Sequence, residues 1–242
     1  MTLDEILRAL PGYLWGDGGQ WSGLAVTAKL FLISGGLGML LAVLLALLRV
    51  YGPAPLRWAV AAFSYFFRGT PLFMQLMLIY YGVSQFSWVT DGWQAEDPFW
   101  LLFRDATFCA VLAYVLNTAA YAQEILAGAL AAYPREEIMA AEAFGMSRAR
   151  TIRRIVLPGA LRRAIPVLSN EMVFLLHATA LSSTVTLLDV TGVARALYAA
   201  TYAPFFPFLM AAAIYLGCTF ALLASFRQAE RRWLKFLQPR SA

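Results

Sequence analysis

The sequence of 242 residues has few charged residues, one histidine and two cysteines. Charged residues make up 14% and apolar residues 61% of the chain, whereas soluble domains contain roughly 25% and 45 to 50%. The scarcity of charge excludes an ordinary soluble domain, and two cysteines exclude a disulfide scaffold. The phosphate-binding pattern G-x-x-x-x-G-K-[ST] is also absent from the sequence, so we expect no ATP hydrolysis by this chain.

Long apolar runs dominate what is present. A helix that crosses a hydrocarbon core of about 30 Å needs about 20 mostly apolar residues. Five runs meet this requirement, with approximate limits 22–48, 71–89, 106–132, 165–188 and 204–226. We therefore predict an all-α, polytopic membrane protein with five transmembrane helices in a single domain, 1–242. The apolar segment 56–67 is too short to cross and is predicted to lie at the membrane surface.

Lys and Arg are distributed unequally between the two sides of such a bundle. Basic residues near span ends are retained on the cytoplasmic side. With the N-terminus outside, the inner side holds Arg49, Arg57, Arg68, Arg135, Arg148, Arg150, Arg153, Arg154, Arg162, Arg163, Arg227, Arg231, Arg232, Lys235 and Arg240. The outer side holds only Arg8, Lys29, Arg104 and Arg195. This bias predicts an N-out, C-in orientation.

The longest inner connection, residues 133–164, begins with the signals of a short helix. Pro134 suits the first helical position, and Glu136 and Glu137 fall in the first turn, where the helix dipole favours acids. Gly145 suits the left-handed residue that ends a helix. The residues predict a helix over 134–144.

A second short helix is predicted to follow directly. Ser147 can cap its start, and Pro158 is expected to end it after Leu157. The two helices would form a compact cytoplasmic projection. On residue chemistry alone this projection either binds a partner protein or lies on the membrane with its arginines against anionic headgroups.

The motifs of this loop resemble those of a known transporter family. The run MAAEAFGMSRARTIRRIVLPGAL is similar to the E-A-A, then G, then I-x-L-P signature of the permease subunits of ATP-binding-cassette importers. The runs FFRGTPLFMQL, LNTAAYAQEI and NEMVFLLHATALSSTVTLLDVTGVARAL extend the likeness over roughly residues 21–237. Together they are most similar to the polar amino acid branch, of the histidine/lysine/arginine/ornithine type.

The resemblance implies a type I importer architecture in which the loop 133–164 carries a coupling helix that enters a groove on a cytoplasmic ATPase subunit. The positions that match the motif are Ala140, Ala141, Gly145, Leu157 and Pro158. Met139 stands where the family has the first glutamate of the motif. An ion pair from that position to the ATPase would therefore have to come from Glu136 or Glu137.

The resemblance also implies partners and a location. These are a second permease subunit, either a homologous chain or a copy of this one, a dimer of ATP-binding subunits, and an extracytoplasmic substrate-binding protein, at the bacterial cytoplasmic (inner) membrane. ATP and Mg would bind the ATPase, and this chain is expected to bind no cofactor and to catalyse no reaction. His177 has no Cys or His at metal-ligand spacing, so we predict no metal site and a hydrogen bond between helices instead.

Polar side chains inside the predicted spans are the candidates for a substrate site. An ionised side chain at the centre of a spanning helix costs about 2.5 to 3.5 kcal/mol on insertion scales, so such residues usually face the bundle interior or an aqueous path. Glu171 follows Asn170 about 9 Å into the fourth span. Asn117 lies on the third span, on one helix face with Tyr114, Tyr121 and Glu124.

Two further residues complete the candidate substrate site. Gln75 lies about one turn into the second span, and Arg68 belongs to the Arg-Gly-Thr-Pro turn before it. Arg68 is predicted either to anchor the inner end of that span at the interface or to line the inner mouth of the path. We expect Glu171, with Asn170 as a hydrogen-bond partner, to meet a cationic group, while Asn117 and Gln75 bind amide or carboxylate atoms.

Several functions remain open from these residues. A basic amino acid (histidine, arginine, lysine or ornithine) suits Glu171, with opines and neutral polar amino acids as further candidates. Glu171 and Asn117 could instead only join helices to one another. The alternative function is an ion-coupled amino acid carrier that uses Glu171 or Glu124 as its proton site without an ATPase. A membrane scaffold or an intramembrane hydrolase is the third interpretation, although no nucleophile and base surround His177 in the sequence.

Overall fold

Helices form most of the part of the chain that the computed structural model describes, residues 3–17 and 20–233. The α-helices are α1 (Leu3–Leu14), α2 (Leu24–Tyr51), α3 (Ala54–Gly69), α4 (Leu72–Met77), α5 (Ser87–Gln94), α6 (Pro98–Leu101), α7 (Ala106–Ala131), α8 (Arg135–Ala143), α9 (Arg148–Thr151), α10 (Leu157–Ala178), α11 (Val190–Thr201) and α12 (Phe205–Trp233). One antiparallel pair joins β1 (Gly16–Asp17) to β2 (Gln20–Trp21). Lys235 and Arg240, which contribute to the predicted orientation, lie outside the described residues.

Four helices in the described part are long and apolar enough to cross a membrane. They are Leu24–Tyr51, Ala106–Ala131, Arg148–Val185 and Phe205–Trp233, and they overlap the first, third, fourth and fifth predicted spans. α7 lies at the centre, packed along α2 and against α3 and α10. The predicted all-α, multi-pass fold is confirmed.

The second predicted span differs from the prediction for 71–89. α4 continues through one π-helical turn and one 3-10 turn to Gln85, and Phe86 then adopts an extended conformation. Residues 72–85 rise only about 21 Å as a helix, less than the roughly 30 Å of a hydrocarbon core. The remaining length comes from the helix before it.

α3 and α4 together follow α7 in the opposite direction. Ser64 of α3 donates a hydrogen bond to the Ala120 carbonyl at 3.3 Å, and Gln75 of α4 accepts one from Asn117 at 3.2 Å. Leu76 then packs with Ala110 and other residues of the first half of α7. The prediction for 56–67 is a helix on the membrane surface; in the structure α3 packs along α7 and α2, with Val60 and Ser64 buried.

This packing also changes the position of Arg68. Asn117 lies close to the middle of α7, and it binds the Phe67 carbonyl at the end of α3. Arg68 is therefore level with the middle of the bundle. The sequence interpretation places Arg68 at the inner end of a span, whereas in the structure it lies beside the middle of α7.

The chain does not stop at Pro158 as predicted. Arg148–Val185 is one continuous helical segment, with a π-helical turn over Ile152–Val156 immediately before α10. Pro158 is the second residue of α10, directly after this turn and inside the continuous segment. The wider π-turn changes the hydrogen-bond spacing just where the proline removes a donor. The second half of the loop 133–164 thus continues into the helix of the fourth predicted span without a break.

Asp189 fixes the connection between this helix and α11. Its carboxylate is fully buried and accepts hydrogen bonds from the backbone N–H groups of Thr191 at 3.1 Å and Gly192 at 2.9 Å. The hydroxyl of Tyr215, on α12, donates a third at 3.0 Å. Burial raises the pKa of Asp189 from 3.8 to about 6, and these hydrogen bonds oppose the rise.

Replacing Asp189 with alanine is expected to lower the free energy of unfolding by about 2 to 4 kcal/mol, from the lost cap and the unpaired Tyr215 hydroxyl. Asp189→Asn is the matched control, since its side chain can still accept one N–H and pair with the hydroxyl. Thermal unfolding in detergent measures both, and equal stability of the two variants would contradict the assignment. The pKa of Asp189 in the folded chain, about 6, exceeds its ordinary value of 3.8. The folded chain therefore holds this proton more tightly, and the free energy of unfolding should fall as the pH rises from about 4 to about 6. Asp189→Asn should remove this pH dependence.

Candidate functional site

The break between α3 and α4 forms one wall of the site. Pro71 has no N–H and holds Thr70 extended (φ −117°, ψ 142°), so the last carbonyls of α3 lose their helical donors. The Thr70 hydroxyl donates to the Phe66 carbonyl at 2.9 Å. The Gln75 amide donates to the carbonyls of Phe67 at 2.8 Å and Thr70 at 3.0 Å. Side chains thus replace the missing backbone partners, as a broken helix within a membrane requires.

α7 supplies the rest of these hydrogen bonds. The Asn117 amide donates to the Phe67 carbonyl at 3.3 Å and to Gln75 Oε1 at 3.2 Å. The Tyr121 hydroxyl donates to the Arg68 carbonyl at 3.3 Å. Asn117 and Gln75 therefore hold the break in shape, a role that the sequence interpretation did not include.

A cavity of about 780 Å³ lies beside the break, between α3, α4, α7 and α10. It is lined by Arg68, Gly69, Thr70, Pro71, Leu72, Phe73, Asn117, Thr118, Tyr121, Glu171, Phe174, Leu175, His177, Ala178 and Leu181. Among the five residues predicted to bind substrate, Glu171, Asn117 and Arg68 meet at this cavity. Gln75 lies behind its wall, and Asn170 lies outside its lining.

The cavity presents one acid and one base. Glu171 is only 9% exposed, and in the described part of the chain no salt bridge to it is found. The Arg68 guanidinium lies 5.3 Å from the centre of the Tyr121 ring and 3.9 Å from Glu124 Oε1. Opposite charges on one enclosed surface can bind a ligand that itself carries both charges.

Glu124 lies outside the cavity lining but contacts Arg68. Its Oε1 accepts hydrogen bonds from Ser64 at 3.1 Å and from the buried Gln123 at 2.8 Å. Its salt-bridge partner is Arg68, which lies beside the middle of α7. Glu124 is therefore placed to orient the Arg68 side chain.

Some cavity residues were not singled out as substrate ligands from the sequence. Phe174, Ala178 and Leu181 follow Glu171 at steps of three, four and three, so the helical spacing could have identified them. The predicted helix-to-helix role of His177 is confirmed by a contact of 2.9 Å between its Nε2 and Thr219 Oγ1. His177 also lines the cavity, which the sequence did not indicate.

α8 ends as the sequence predicts. Gly145 has φ +75°, and its N–H donates to the Glu142 carbonyl at 2.9 Å, while that of Met146 donates to the Ala141 carbonyl at 3.1 Å. This pair of bonds is the Schellman motif, which needs a left-handed residue. Ser147 begins the next helix but makes no side-chain capping bond.

One face of α8 is free in the described chain. Ala141 is buried against the protein, whereas Met139, Ala140 and Phe144 are exposed, Phe144 to 90%. Exposed apolar side chains on a projecting helix are typical of a surface that another protein covers.

The other face of α8 is fastened to α10. Arg163 donates a hydrogen bond to Glu137 Oε1 at 3.2 Å, and the Tyr133 hydroxyl donates to the second oxygen of the same carboxylate. The Arg163 guanidinium also lies 5.1 Å from the centre of the Tyr133 ring. Burial and the neighbouring Glu137 raise the pKa of Tyr133 to about 12, so its hydroxyl stays protonated and donates. Glu137 is engaged within the chain, which leaves Glu136 and Glu142 as the exposed acids of α8.

Exchanging these two charges tests the link between α8 and α10. Under the coupling role that the resemblance implies, Glu137→Arg alone is expected to reduce the coupling of ATP hydrolysis to uptake, because it places a second guanidinium beside Arg163. Adding Arg163→Glu should restore at least part of the loss, since the opposite pair can form again. Uptake per ATP hydrolysed in proteoliposomes is the measurement. A double variant that performs worse than both single variants would show that the pair does not act as a unit.

The family of this chain follows from a match over most of its length. Residues 36–235 match the family described as binding-protein-dependent transport system inner membrane component. The chain belongs to this family. It is thus a membrane transport component and not an enzyme, as the sequence motifs predict.

Named relatives agree with the match. The histidine/lysine/arginine/ornithine transport system permease protein HisM of Escherichia coli (strain K12) is 42% identical over 228 residues, which are 94% of each chain. The octopine transport system permease protein OccM of Rhizobium meliloti is 40% identical over 86% of this chain and 83% of its own. A solved amino acid ABC transporter with histidines matches with a TM-score of 0.79 and 27% identity, over 96% of this chain and 99% of that one. These matches confirm the predicted importer-permease fold and give no support to an ion-coupled carrier acting alone.

Proposed function

We propose that this chain forms the translocation path of a bacterial ATP-driven importer of basic amino acids in the cytoplasmic membrane. The observation that carries the proposal is the cavity in which the buried Glu171 and the accessible Arg68 meet. Support also comes from relatives that are named for histidine, lysine, arginine and ornithine.

The amino acid would be bound by charge at both ends. Glu171 would receive the cationic side chain, and Arg68 the α-carboxylate, with Glu124 and Tyr121 keeping the guanidinium in place. Phe174 would contact the methylene groups of the side chain. Asn117 and Gln75 would act by holding the broken helix, since Gln75 is outside the lining and its amide is already bonded.

The broken helix would serve as the second of five crossings. α3 and residues 72–85 together rise about 45 Å, more than the roughly 30 Å of a hydrocarbon core, and their break lines the cavity. Discontinuous helices commonly form substrate sites near the middle of the membrane in transporters. The N-out, C-in orientation would place α8 in the cytoplasm.

The exposed face of α8 would dock in one of two ATP-binding subunits, which would bind ATP and Mg. Ala140, Gly145 and the helix through Leu157 and Pro158 would form the coupling element. A second permease subunit would complete the path, and an extracytoplasmic binding protein would deliver substrate. Closure of the ATPase would move α8, and the bonds of Glu137 to Arg163 and Tyr133 would pass that movement to α10, which carries Glu171.

ATP-dependent uptake by the assembled transporter in proteoliposomes tests the proposal. Radiolabelled arginine should accumulate only with ATP and the binding protein, and lysine and histidine should compete better than glutamine. Preference for an opine would favour a second candidate substrate class, for which a relative named for octopine transport at 40% identity gives grounds. Uptake driven by a proton gradient without ATP would contradict the proposal.

A further inference from the structure

An apolar cleft lies along a second face of α10, next to the one that lines the cavity of Glu171 and Arg68. It has a volume of about 680 Å³ and opens between α2, α10 and α12. Its lining consists of Gly35, Met39, Pro158, Leu161, Arg162, Ile165, Leu168, Met172, Phe226 and Trp233. From Pro158 to Met172 the cleft follows α10 for about 21 Å. This length exceeds one leaflet of a hydrocarbon core of about 30 Å, so the cleft suits an extended chain better than a compact polar solute.

A second cavity of about 240 Å³ lies at the cytoplasmic end of this cleft. It is lined by Tyr133, Glu137, Arg154, Ile155, Pro158, Gly159, Arg162 and Arg163. Pro158 and Arg162 line both cavities, which makes the two spaces neighbours on the surface of α10.

The charge in the second cavity is unbalanced. Its one carboxylate, Glu137, is already bonded to Arg163 and Tyr133. In the described part of the chain, neither Arg154 nor Arg162 has an acid within salt-bridge distance. Guanidinium groups in this arrangement suit the oxygens of a phosphate.

We propose that the two cavities together bind one anionic phospholipid of the cytoplasmic leaflet, with its phosphate at Arg154 and Arg162 and an acyl chain in the apolar cleft. Arg162 stands at the junction, where the headgroup of such a lipid meets its chains. Trp233 lines the same cleft and is 56% exposed, and tryptophan is enriched at the level of lipid headgroups. The proposal uses the N-out, C-in orientation but neither the substrate nor its site.

A lipid bound at this position would affect the link between α8 and α10. The headgroup would lie beside the Glu137–Arg163 bond that fastens α8 to α10, and the acyl chain would lie between α10 and α12. An anion there would offset the repulsion among Arg154, Arg162 and Arg163. Bound lipid would thus stabilise the junction between the cytoplasmic projection and the long helix.

Lipid retention by the purified full transporter is the test. The complex is reconstituted in nanodiscs of phosphatidylcholine with or without phosphatidylglycerol, extracted, and analysed by native mass spectrometry for bound lipid. We expect retained phosphatidylglycerol to fall at least five-fold in the double variant Arg154→Gln/Arg162→Gln. Arg150→Gln is the matched control, an exposed arginine of the same segment that lines neither cavity, and it should retain lipid as the wild type does. Leu161→Trp, which fills the cleft and keeps the charges, should also lose the lipid.

Three results would overturn the proposal. The first is equal retention of phosphatidylglycerol in the double variant and the control. The second is displacement of the lipid by glycerol phosphate as effectively as by phosphatidylglycerol, which would indicate a phosphate site without a chain site. The third is loss of the ATPase subunits from the double variant with lipid retained, which would assign the arginines to a protein partner. None of these readouts depends on amino acid uptake.

Discussion

Replacing Gly145 with valine is expected to abolish ATP-driven uptake while the assembled transporter still hydrolyses ATP. Gly145 has φ +75°, a conformation that costs an L-residue roughly 1 to 2 kcal/mol, and a β-branched side chain more. No atom lies within 4 Å of a Cβ built at this position. The effect would therefore come from the backbone, through loss of the Schellman motif and rotation of α8 relative to the helix that follows.

Gly145→Asn provides the control for this substitution. Asparagine tolerates the left-handed conformation, so it should keep most of the uptake although it adds a side chain of similar size. Uptake and ATP hydrolysis are measured on the same proteoliposomes, after size-exclusion chromatography has shown that both variants assemble with the ATPase. Wild-type uptake in Gly145→Val would show that this turn does not transmit the motion.

Replacing Glu171 with glutamine is expected to reduce uptake of arginine and lysine selectively. Glutamine has nearly the same shape but cannot neutralise a cation in the buried cavity. A hydrogen bond to a charged group is worth about 1.5 to 3 kcal/mol, which corresponds to roughly a 10- to 100-fold loss in kcat/KM at 1.4 kcal/mol per factor of ten. Uptake of glutamine, where it can be measured, should change far less.

Glu124→Gln separates the charge of Glu171 from acidity in general. Glu124 is absent from the cavity lining and acts on Arg68 at 3.9 Å, a distance at which a partly exposed pair contributes little. Glu124→Gln should reduce the uptake of all amino acids to a similar extent, and by less than Glu171→Gln reduces the uptake of arginine. If Glu171→Gln imports arginine and histidine as well as the wild type, Glu171 does not bind the substrate.

Local signals made α8 and the long apolar helices predictable. Pro134, the acids of the first turn and Gly145 each favour one backbone conformation through interactions within a few residues. The apolar runs are equally local, because their length alone sets whether they can cross a membrane. The hydrogen bond of His177 between helices was predicted because no Cys or His lies at metal-ligand spacing from it in the sequence.

The broken helix and the continuous helix through Pro158 were not predictable in this way. Proline and glycine in Arg68–Pro71 indicate an end to a helix, and only Asn117 and Tyr121, about 50 residues later, show that the break is stabilised inside the bundle. At Pro158 the π-turn accommodates a residue that usually ends a helix. The cavity is lined by the break, so Glu171 and Arg68 were identifiable from the sequence but their shared surface was not.

The distance between α8 and α10 within one chain tests most directly whether the cytoplasmic projection and the long helix move as one body. Spin labels at the exposed positions Met139 and Val167 report this distance by pulsed electron paramagnetic resonance in the full transporter. We expect it to stay the same with and without ATP, while the distance from Met139 to a label at the equivalent position of the second permease subunit shortens when ATP binds. A Met139 to Val167 distance that changes with nucleotide as much as the distance between subunits would contradict a rigid link from α8 to the helix that carries Glu171.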